Sequence, residues 1–257
     1  MGPIIGVFDS GVGGLTVVRA LRQRWPQAEL LYLGDTARVP YGTKSATVVE
    51  RYAVNCARFL ADRGADQLVI ACNTASAYAL GALRATFSIP VTGVVEPGAA
   101  LAVESSRSGR IGVIATEGTI NSASYQDAIT KAKPGIEVWT QACPLFVPLA
   151  EEGLQDHPAA RLLAKDYLAP LLQHGIDTLV LGCTHYPLLA PLLREVVGTT
   201  VKLIDSADAV AQAIIPPAAK RPDTQWRFFA TDVSERVQRV GGAFLGCELP
   251  NVELVDL

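Results

Sequence analysis

Two cysteines in this chain each follow directly on a short apolar run. Cys72 lies in the motif ACNT at 71–74, and Cys183 lies in GCTH at 182–185. The preceding runs are rich in leucine, valine and isoleucine without polar alternation, which is typical of strands buried on both faces of a parallel sheet. Each cysteine is therefore predicted at the carboxyl end of a strand, where open α/β sheets bind ligands beside a helix N-terminus.

A pair of thiols suits proton transfer at a carbon that is approached from both faces. One sulfur takes the proton as a thiolate while the other supplies one as a thiol, and this inverts a stereocentre. A free thiol has a pKa of about 8.5 and is mostly protonated at neutral pH. Each sulfur therefore needs a nearby base or a favourable dipole to act as a thiolate. The candidates are Asp9 at the end of the first predicted strand, His185, and Glu151 in a predicted turn at 147–151.

Small polar groups near these residues could bind carboxylates without a dedicated arginine. Hydroxyl and amide side chains and the backbone N–H groups of a loop offer hydrogen-bond donors for this purpose. The candidates are Ser10, Asn73, Thr74, Thr116, Thr184 and the backbone around Tyr41 and Gly42.

The elements that must position these residues alternate between strand and helix. A helix from about Leu15 ends before Pro26, a long helix from about Ser45 ends at Gly64, and Glu96-Pro97-Gly98 is expected to interrupt the chain. Strands are predicted at 4–8, 30–33, 67–70, 91–95, 112–115, 178–181, 201–204, 226–230 and 252–255. The tail from about Ser206 is too short for its own core and is expected to pack on the first unit.

The order of landmarks repeats along the chain. The segments 112–116 and 6–10 are alike, Cys183 follows Cys72, and 201–204 answers 91–94, at offsets of 106 to 111 residues (112 − 6 and 183 − 72). So long a period predicts a pair of similar domains rather than a solenoid. Two α/β units related by pseudo-twofold symmetry would face one another, and each would offer a cysteine from the equivalent loop.

Composition bounds the class of protein. The chain has 257 residues and a formal net charge of −3, with acids and bases scattered, so no basic stripe is offered to nucleic acid or anionic lipid. Its five cysteines form no CxxC pair, which favours reduced thiols in a cytosolic protein. We expect Cys56, Cys143 and Cys247 to be inert and buried. The N-terminus lacks a signal pattern and no apolar run reaches membrane-spanning length, so a soluble, cytoplasmic protein is expected.

Simpler roles compete with the catalytic ones. Asp9 and Ser10 could cap the next helix, His185 could be a satisfied core histidine, and Glu151 could be a solvated acid. Lys44 is expected to face solvent.

Other site types are disfavoured. Gly11 and Gly13 resemble half of a dinucleotide fingerprint, with Asp35 as the acid, but Thr16 occupies the third glycine position and Asp9 would repel a pyrophosphate. Zinc would find only three ligands in Cys72, Cys183 and His185, without CxxC spacing, so no metal is expected. A cysteine hydrolase would leave the second cysteine unexplained.

Four ordered motifs carry a resemblance to the bacterial glutamate racemases of the aspartate/glutamate racemase superfamily. They are DSGVGGLT at 9–16, VPYGTK at 39–44, ACNTA at 71–75 and LGCTHYP at 181–187. The resemblance extends from the first strand into at least the helix after Pro187 and is thin beyond about Ser206. It implies two doubly wound α/β domains with mostly parallel sheets, 1–96 with 206–257 and 97–205, and an active site in the cleft between them.

The resemblance also implies a reaction. The expected activity is interconversion of L- and D-glutamate without a cofactor, supplying D-glutamate for peptidoglycan synthesis. Cys72 would act on D-glutamate with Asp9 assisting, and Cys183 on L-glutamate with Glu151 and His185 assisting. The expected substrate-binding residues are Asp9, Ser10, Pro40, Tyr41, Gly42, Cys72, Asn73, Thr74, Thr116, Thr119, Cys183, Thr184 and His185.

The resemblance further suggests a homodimer. The chain starts almost at its first strand, without the N-terminal extension of some members, so activation by a cell-wall precursor is not expected. Three alternatives stay open at this point: a racemase for aspartate or another small acid, a non-catalytic module that binds a small acid, and a pyridoxal-phosphate enzyme using Lys44.

Overall fold

A computed structural model describes residues 4–214 and 226–257. The first half of the chain forms β1 (Ile4–Asp9), α1 (Leu15–Arg24), β2 (Glu29–Gly34), α2 (Ala46–Asp62), β3 (Ala65–Ile70), α3 (Asn73–Thr86), β4 (Val91–Gly93), α4 (Val95–Ser105), β5 (Arg110–Ala115), α5 (Glu117–Asn121) and α6 (Ser124–Ala132). Short 3-10 helices at Thr36–Arg38 and Tyr41–Thr43 lie in the loop after β2.

The second half continues the alternation of strands and helices. It forms β6 (Glu137–Ala142), α7 (Phe146–Glu151), α8 (Pro158–Gln173), β7 (Thr178–Gly182), α9 (Ala190–Val197), β8 (Lys202–Asp205), α10 (Ser206–Ala213), β9 (Trp226–Ala230), α11 (Glu235–Leu245) and β10 (Val252–Leu254). A 3-10 helix at Tyr186–Leu189 follows the second cysteine motif.

The strands form two sheets, and every pairing between described strands is parallel. The first sheet has six strands in the order β10-β9-β2-β1-β3-β4, and the second has four in the order β6-β5-β7-β8. This architecture confirms the predicted α/β class with parallel sheets.

The internal duplication predicted from spacing corresponds to a shared strand order. The segment β2-β1-β3-β4 of the first sheet and the whole second sheet, β6-β5-β7-β8, have the same arrangement. The cysteine-bearing strands β3 and β7 therefore occupy equivalent positions, each beside the central β1 or β5. Both cysteines follow the carboxyl ends of their strands, as the apolar runs indicated.

The buried apolar side chains form three clusters that cover both faces of each sheet. One cluster includes Phe8 and Ile70 of the first sheet, and another includes Val113 and Val180 of the second. The third is continuous from Val7 in the first sheet to residues of β7, so the two sheets share a core. This shared core holds the two cysteine loops near one another.

Two local predictions were wrong. Glu96-Pro97-Gly98 does not interrupt the chain, because α4 begins at Val95 and the proline lies in its first turn, where the missing N–H costs no helical hydrogen bond. The Gly98 N–H donates to Val94 O at 3.1 Å. The segment 147–151 is not a turn, because it lies in α7, which packs Phe146 against Tyr186.

The C-terminal segment joins the two units. Strands β9 and β10 extend the first sheet, whereas α10 packs against both α1 and α4. The domain limits at 97 and 205 stay a prediction. Among the described residues, no helix is both long enough and apolar enough to cross a membrane.

Candidate active site

Cys72 lies at the N-terminus of α3, immediately after β3. Its Sγ accepts a hydrogen bond from the Ala75 N–H at 3.4 Å, so the thiol caps the helix, and only 6% of the residue is exposed. Burial and the nearby charge of Asp9 raise the pKa of the Cys72 thiol to about 12, although hydrogen bonds from Ser10 and Ala75 favour the thiolate. Cys72 is therefore held as a protonated thiol at neutral pH.

Asp9 is fully buried at the carboxyl end of β1. Its Oδ2 accepts from the Gly11 N–H at 3.0 Å, whereas Oδ1 is buried without a partner. Burial raises the pKa of Asp9, and the charge of His185 and backbone N–H groups of this loop oppose the rise. A Cβ on Gly14 would lie 2.4 Å from Asp9 Cβ, so the loop closes around the carboxyl group. The Asp9 carboxyl group is therefore enclosed by its own loop.

Cys183 begins a chain of acid and base groups. Its Sγ lies 3.8 Å from Nδ1 of His185, and Nε2 of the same ring lies 3.0 Å from Glu151 Oε1. Burial lowers the pKa of His185, but the hydrogen bonds to Cys183 and Glu151 outweigh it and raise that pKa to about 10. The hydrogen bond from His185 lowers the pKa of Glu151 against the effect of burial. The protonated imidazole therefore lies between the Glu151 carboxylate and the Cys183 sulfur.

The two cysteine loops belong to one site. The charge of Cys183 is among the causes that raise the pKa of Cys72, and Asp9, beside Cys72, acts on the pKa of His185. A Cβ on Gly13 would lie 2.4 Å from Thr184 Oγ1 and 2.5 Å from His185 Nδ1. The loop after β1 therefore packs directly on the loop after β7, and only glycine fits at this contact.

Three threonine hydroxyls connect the two units on another side of the site. Thr74 Oγ1 lies 2.9 Å from Thr116 Oγ1 and 3.0 Å from Thr119 Oγ1, and the last two are 3.0 Å apart. Gly42 belongs to the same contact, because a Cβ there would lie 2.8 Å from Thr116 Cβ. Hydroxyl groups that hydrogen-bond in a ring can turn toward a carboxylate, since each is donor and acceptor.

Asn73 is oriented by Tyr125 of α6 and Ser206 of α10. Its Oδ1 accepts from the Tyr125 hydroxyl at 2.7 Å, and its Nδ2 donates to Ser206 Oγ at 3.4 Å. Asp35 plays the corresponding part for the loop of Tyr41. Its carboxylate accepts from the Tyr41 hydroxyl, from Arg38 Nε at 2.8 Å and from Thr231 Oγ1 at 2.9 Å.

Most predicted site residues lie in these contacts. Pro40 is exposed beside Tyr41, and its carbonyl accepts a hydrogen bond from Thr43 Oγ1 at 3.5 Å. Cys56 and Cys143 are buried as expected, but the prediction of a buried Cys247 was wrong, because it lies exposed in the loop after α11. Among the described residues, no group of three His, Cys, Asp or Glu side chains converges as a metal site.

Sequence reasoning missed several residues that complete the site. Arg236 Nη2 donates to Glu151 Oε2 at 2.9 Å, and Phe244 packs its ring against His185 with centroids 4.9 Å apart. Tyr125 and Ser206 orient Asn73. No sequence pattern marked these four residues, because each acts through a contact distant along the chain.

Comparison with known proteins gives consistent matches over nearly the whole chain. The Asp/Glu/Hydantoin racemase family matches residues 15–214. The chain is 53% identical to a glutamate racemase of Geobacter metallireducens, over 98% of this chain and 96% of that protein. The glutamate racemase isoform RacE1 of Bacillus anthracis superposes with a TM-score of 0.93 at 37% identity, covering 99% and 98% of the two chains.

A further solved structure carries a ligand. Glutamate racemase of Francisella tularensis, in complex with D-glutamate, superposes with a TM-score of 0.91 at 38% identity, covering 99% of this chain and 98% of that one. The matched segment includes both cysteine loops, and the two-sheet fold is shared over the full length. The chain therefore belongs to the Asp/Glu/Hydantoin racemase family and is an isomerase, an amino-acid racemase.

Proposed function

We propose that this chain racemises glutamate by passing the α-proton between Cys72 and Cys183 on opposite faces of Cα. The observation that carries the proposal is the pair of buried thiols after equivalent strands, each with its own acid or base partner. The names of the relatives, and the D-glutamate in the Francisella tularensis protein, support glutamate as substrate.

The electrostatics suggest how the two thiols differ at rest. His185 and Glu151 place acid and base groups beside Cys183, whereas burial and the charge of Asp9 raise the pKa of the Cys72 thiol. With L-glutamate, the Cys183 thiolate removes the α-proton and the electron pair passes into the α-carboxylate. The Cys72 thiol then gives its proton to the opposite face, which yields D-glutamate and leaves Cys72 as the thiolate. D-glutamate reverses the same steps.

The remaining residues of the site have supporting roles in this proposal. Asp9 assists proton transfer at Cys72, and Glu151 with His185 assists it at Cys183. Donors for the substrate carboxylates come from the residues that surround the thiols: Ser10, the Tyr41 and Gly42 loop, Asn73, Thr74, Thr116, Thr119 and Thr184. Pro40, which is exposed beside Tyr41, is proposed to contact the substrate as well.

The cellular role follows from the product. We propose a cytoplasmic homodimer, divided into domains 1–96 with 206–257 and 97–205, that supplies D-glutamate for peptidoglycan. Sedimentation of the purified, active wild-type protein measures whether it is a dimer.

Single-thiol variants test the mechanism. Circular dichroism follows optical activity of L-glutamate, D-glutamate and L-aspartate in turn, with the wild type, Cys72→Ser and Cys183→Ser. Proton NMR in D2O follows exchange of the α-proton in parallel. We expect wild type to racemise glutamate, Cys72→Ser to exchange only L-glutamate with retention, and Cys183→Ser to exchange only D-glutamate with retention.

Each other outcome is informative. Racemisation that survives either substitution contradicts the two-thiol mechanism. Racemisation of aspartate alone would keep the mechanism and overturn the substrate. Binding of glutamate without α-proton exchange by the wild type would indicate a binding module.

A further inference from the structure

Glu151 uses its two carboxylate oxygens on different partners. Oε1 faces His185 Nε2 at 3.0 Å, and Oε2 accepts from Arg236 Nη2 at 2.9 Å. The other terminal nitrogen of Arg236, Nη1, donates to Glu152 Oε1. The planar guanidinium therefore joins two consecutive glutamates and leaves Glu151 one orientation in which it reaches the imidazole.

This contact connects the C-terminal segment, whose strands extend the first sheet, to helix α7. Arg236 lies in the first turn of α11, which packs on α1 and buries Phe244 and Leu245 in the shared core. Glu151 ends α7, which packs through Phe146 on Tyr186 beside the second cysteine loop. The pair thus forms only when the C-terminal segment and the second sheet are together.

We infer that Arg236 is a positioning residue for the reaction: by holding Glu151 it orients His185 toward Cys183. This inference rests on the proposed function for its kinetic consequences. It does not rest on strength of the ion pair, because half of the Arg236 side chain is exposed and exposed pairs contribute little to stability. The proposed role of Arg236 is to fix the orientation of the Glu151 carboxylate.

When Arg236 is replaced, the direction in which the pKa of His185 shifts shows whether Arg236 acts by positioning Glu151 or only through its charge. The groups that face His185 are Glu151 from α7, Asp9 from β1, Cys183 and Thr184 from its own loop, and the ring of Phe244 from α11. Removing the positive charge of Arg236 would, by Coulomb's law alone, raise the pKa of His185. Losing the orientation of Glu151 would weaken a hydrogen bond that raises that pKa, and so lower it.

The experiment compares Arg236→Gln with Arg239→Gln in the full chain. Arg239 lies on the same helix but lines a different groove, with Gly242 and Cys247, so it controls for charge and helix propensity. The chain has three histidines, so the ring signals of His185 can be followed by NMR against pH. We expect His185 to titrate at lower pH in Arg236→Gln than in wild type, and unchanged in Arg239→Gln.

Kinetics give the second readout. In Arg236→Gln we expect kcat with L-glutamate and with D-glutamate to fall on the order of tenfold or more, with KM changed less, since misplaced groups cost turnover. Arg236→Lys should recover part of kcat, because it keeps a positive charge that can pair with Glu151. The recovery should be incomplete, because one ammonium can pair with only one of the two glutamates at a time in a fixed geometry.

The opposite results overturn the inference. A His185 titration that is unchanged, or shifted to higher pH, in Arg236→Gln would leave Arg236 a merely structural or electrostatic group. If Arg236→Gln does not fold, Arg236→Lys and Glu152→Gln carry the same comparison. A wild type without glutamate racemisation would refute the proposed function, whereas the NMR comparison would still decide the role of Arg236.

Discussion

The Nε2 atom of His185 lies 3.0 Å from Oε1 of Glu151, while Nδ1 of the same ring lies 3.8 Å from the Cys183 sulfur. The imidazole is thus held between a carboxylate and a thiol, and both neighbours favour its protonated form. This places a fixed positive charge beside one of the two thiols.

Replacement of His185 should therefore cost turnover. In His185→Gln the amide cannot carry the charge, so we expect kcat/KM to fall by about 10²- to 10⁴-fold, as for loss of a general acid or base. Circular dichroism with each enantiomer measures it. Because the enantiomers have equal free energy, kcat/KM must fall equally in both directions, and a loss of less than about threefold would refute the assignment.

The raised pKa of His185 also predicts how stability depends on pH. Since the folded-state pKa of about 10 exceeds the ordinary 6.5, the imidazolium stabilises the fold fully below pH 6.5 and this contribution is lost as pH rises through 10. The stabilisation from Glu151 has the opposite pH dependence. Its pKa is lowered from 4.5, so this contribution is present above pH 4.5 and is lost as pH falls through the lowered pKa. The difference in Tm between wild type and His185→Gln should narrow from pH 6.5 to pH 10. A difference that does not vary with pH would contradict the charged pair.

Replacement of Asp9 by asparagine should raise the stability of the protein and lower its activity. Its pKa is raised by burial, so ionisation destabilises the fold increasingly as pH rises above the ordinary value of 3.8. In Asp9→Asn we expect the Tm at pH 7 to rise by about 2–4 °C for each kcal/mol recovered, while racemisation falls. Thermal unfolding of both proteins over a pH series from about 4 upward tests this, since the gain should grow with pH until Asp9 is ionised in the folded wild type. A lower Tm of Asp9→Asn throughout the series would contradict it.

Gly13 tests the contact between the two cysteine loops. In Gly13→Ala the new Cβ would lie 2.4 Å from Thr184 Oγ1, so we expect the loops to separate and kcat/KM to fall by about 10²-fold. Gly81→Ala is the matched control, because a Cβ there would meet no atom within 4 Å apart from its chain neighbours and the backbone of its own helix. It lies inside α3, so the control should gain about 0.5–1 kcal/mol in unfolding free energy without a change in activity. Equal activity of the two variants would exclude the loop contact as a requirement.

Local pattern was sufficient for much of the fold. Uninterrupted apolar runs predicted the strands before Cys72 and Cys183, and the repeated spacing predicted their equivalent places in two sheets of the same order. The same reasoning was wrong at Glu96-Pro97-Gly98 and at 147–151. The proline fits because the first turn of a helix does not need its N–H, and the short helix at Phe146 is stabilised by a contact with Tyr186 that the local sequence does not display.

The sequence by itself determined which residue types are available for proton transfer and that each thiol follows a strand, because strand pattern and motif order are local properties of the chain. Only the tertiary structure decided which groups meet: that Asp9 lies beside Cys72, that Glu151 reaches His185, and that Arg236 holds Glu151 from a segment with no motif. The reason is physical. Side-chain distance, burial and the resulting pKa depend on the packing of two sheets and a C-terminal helix around one shared core.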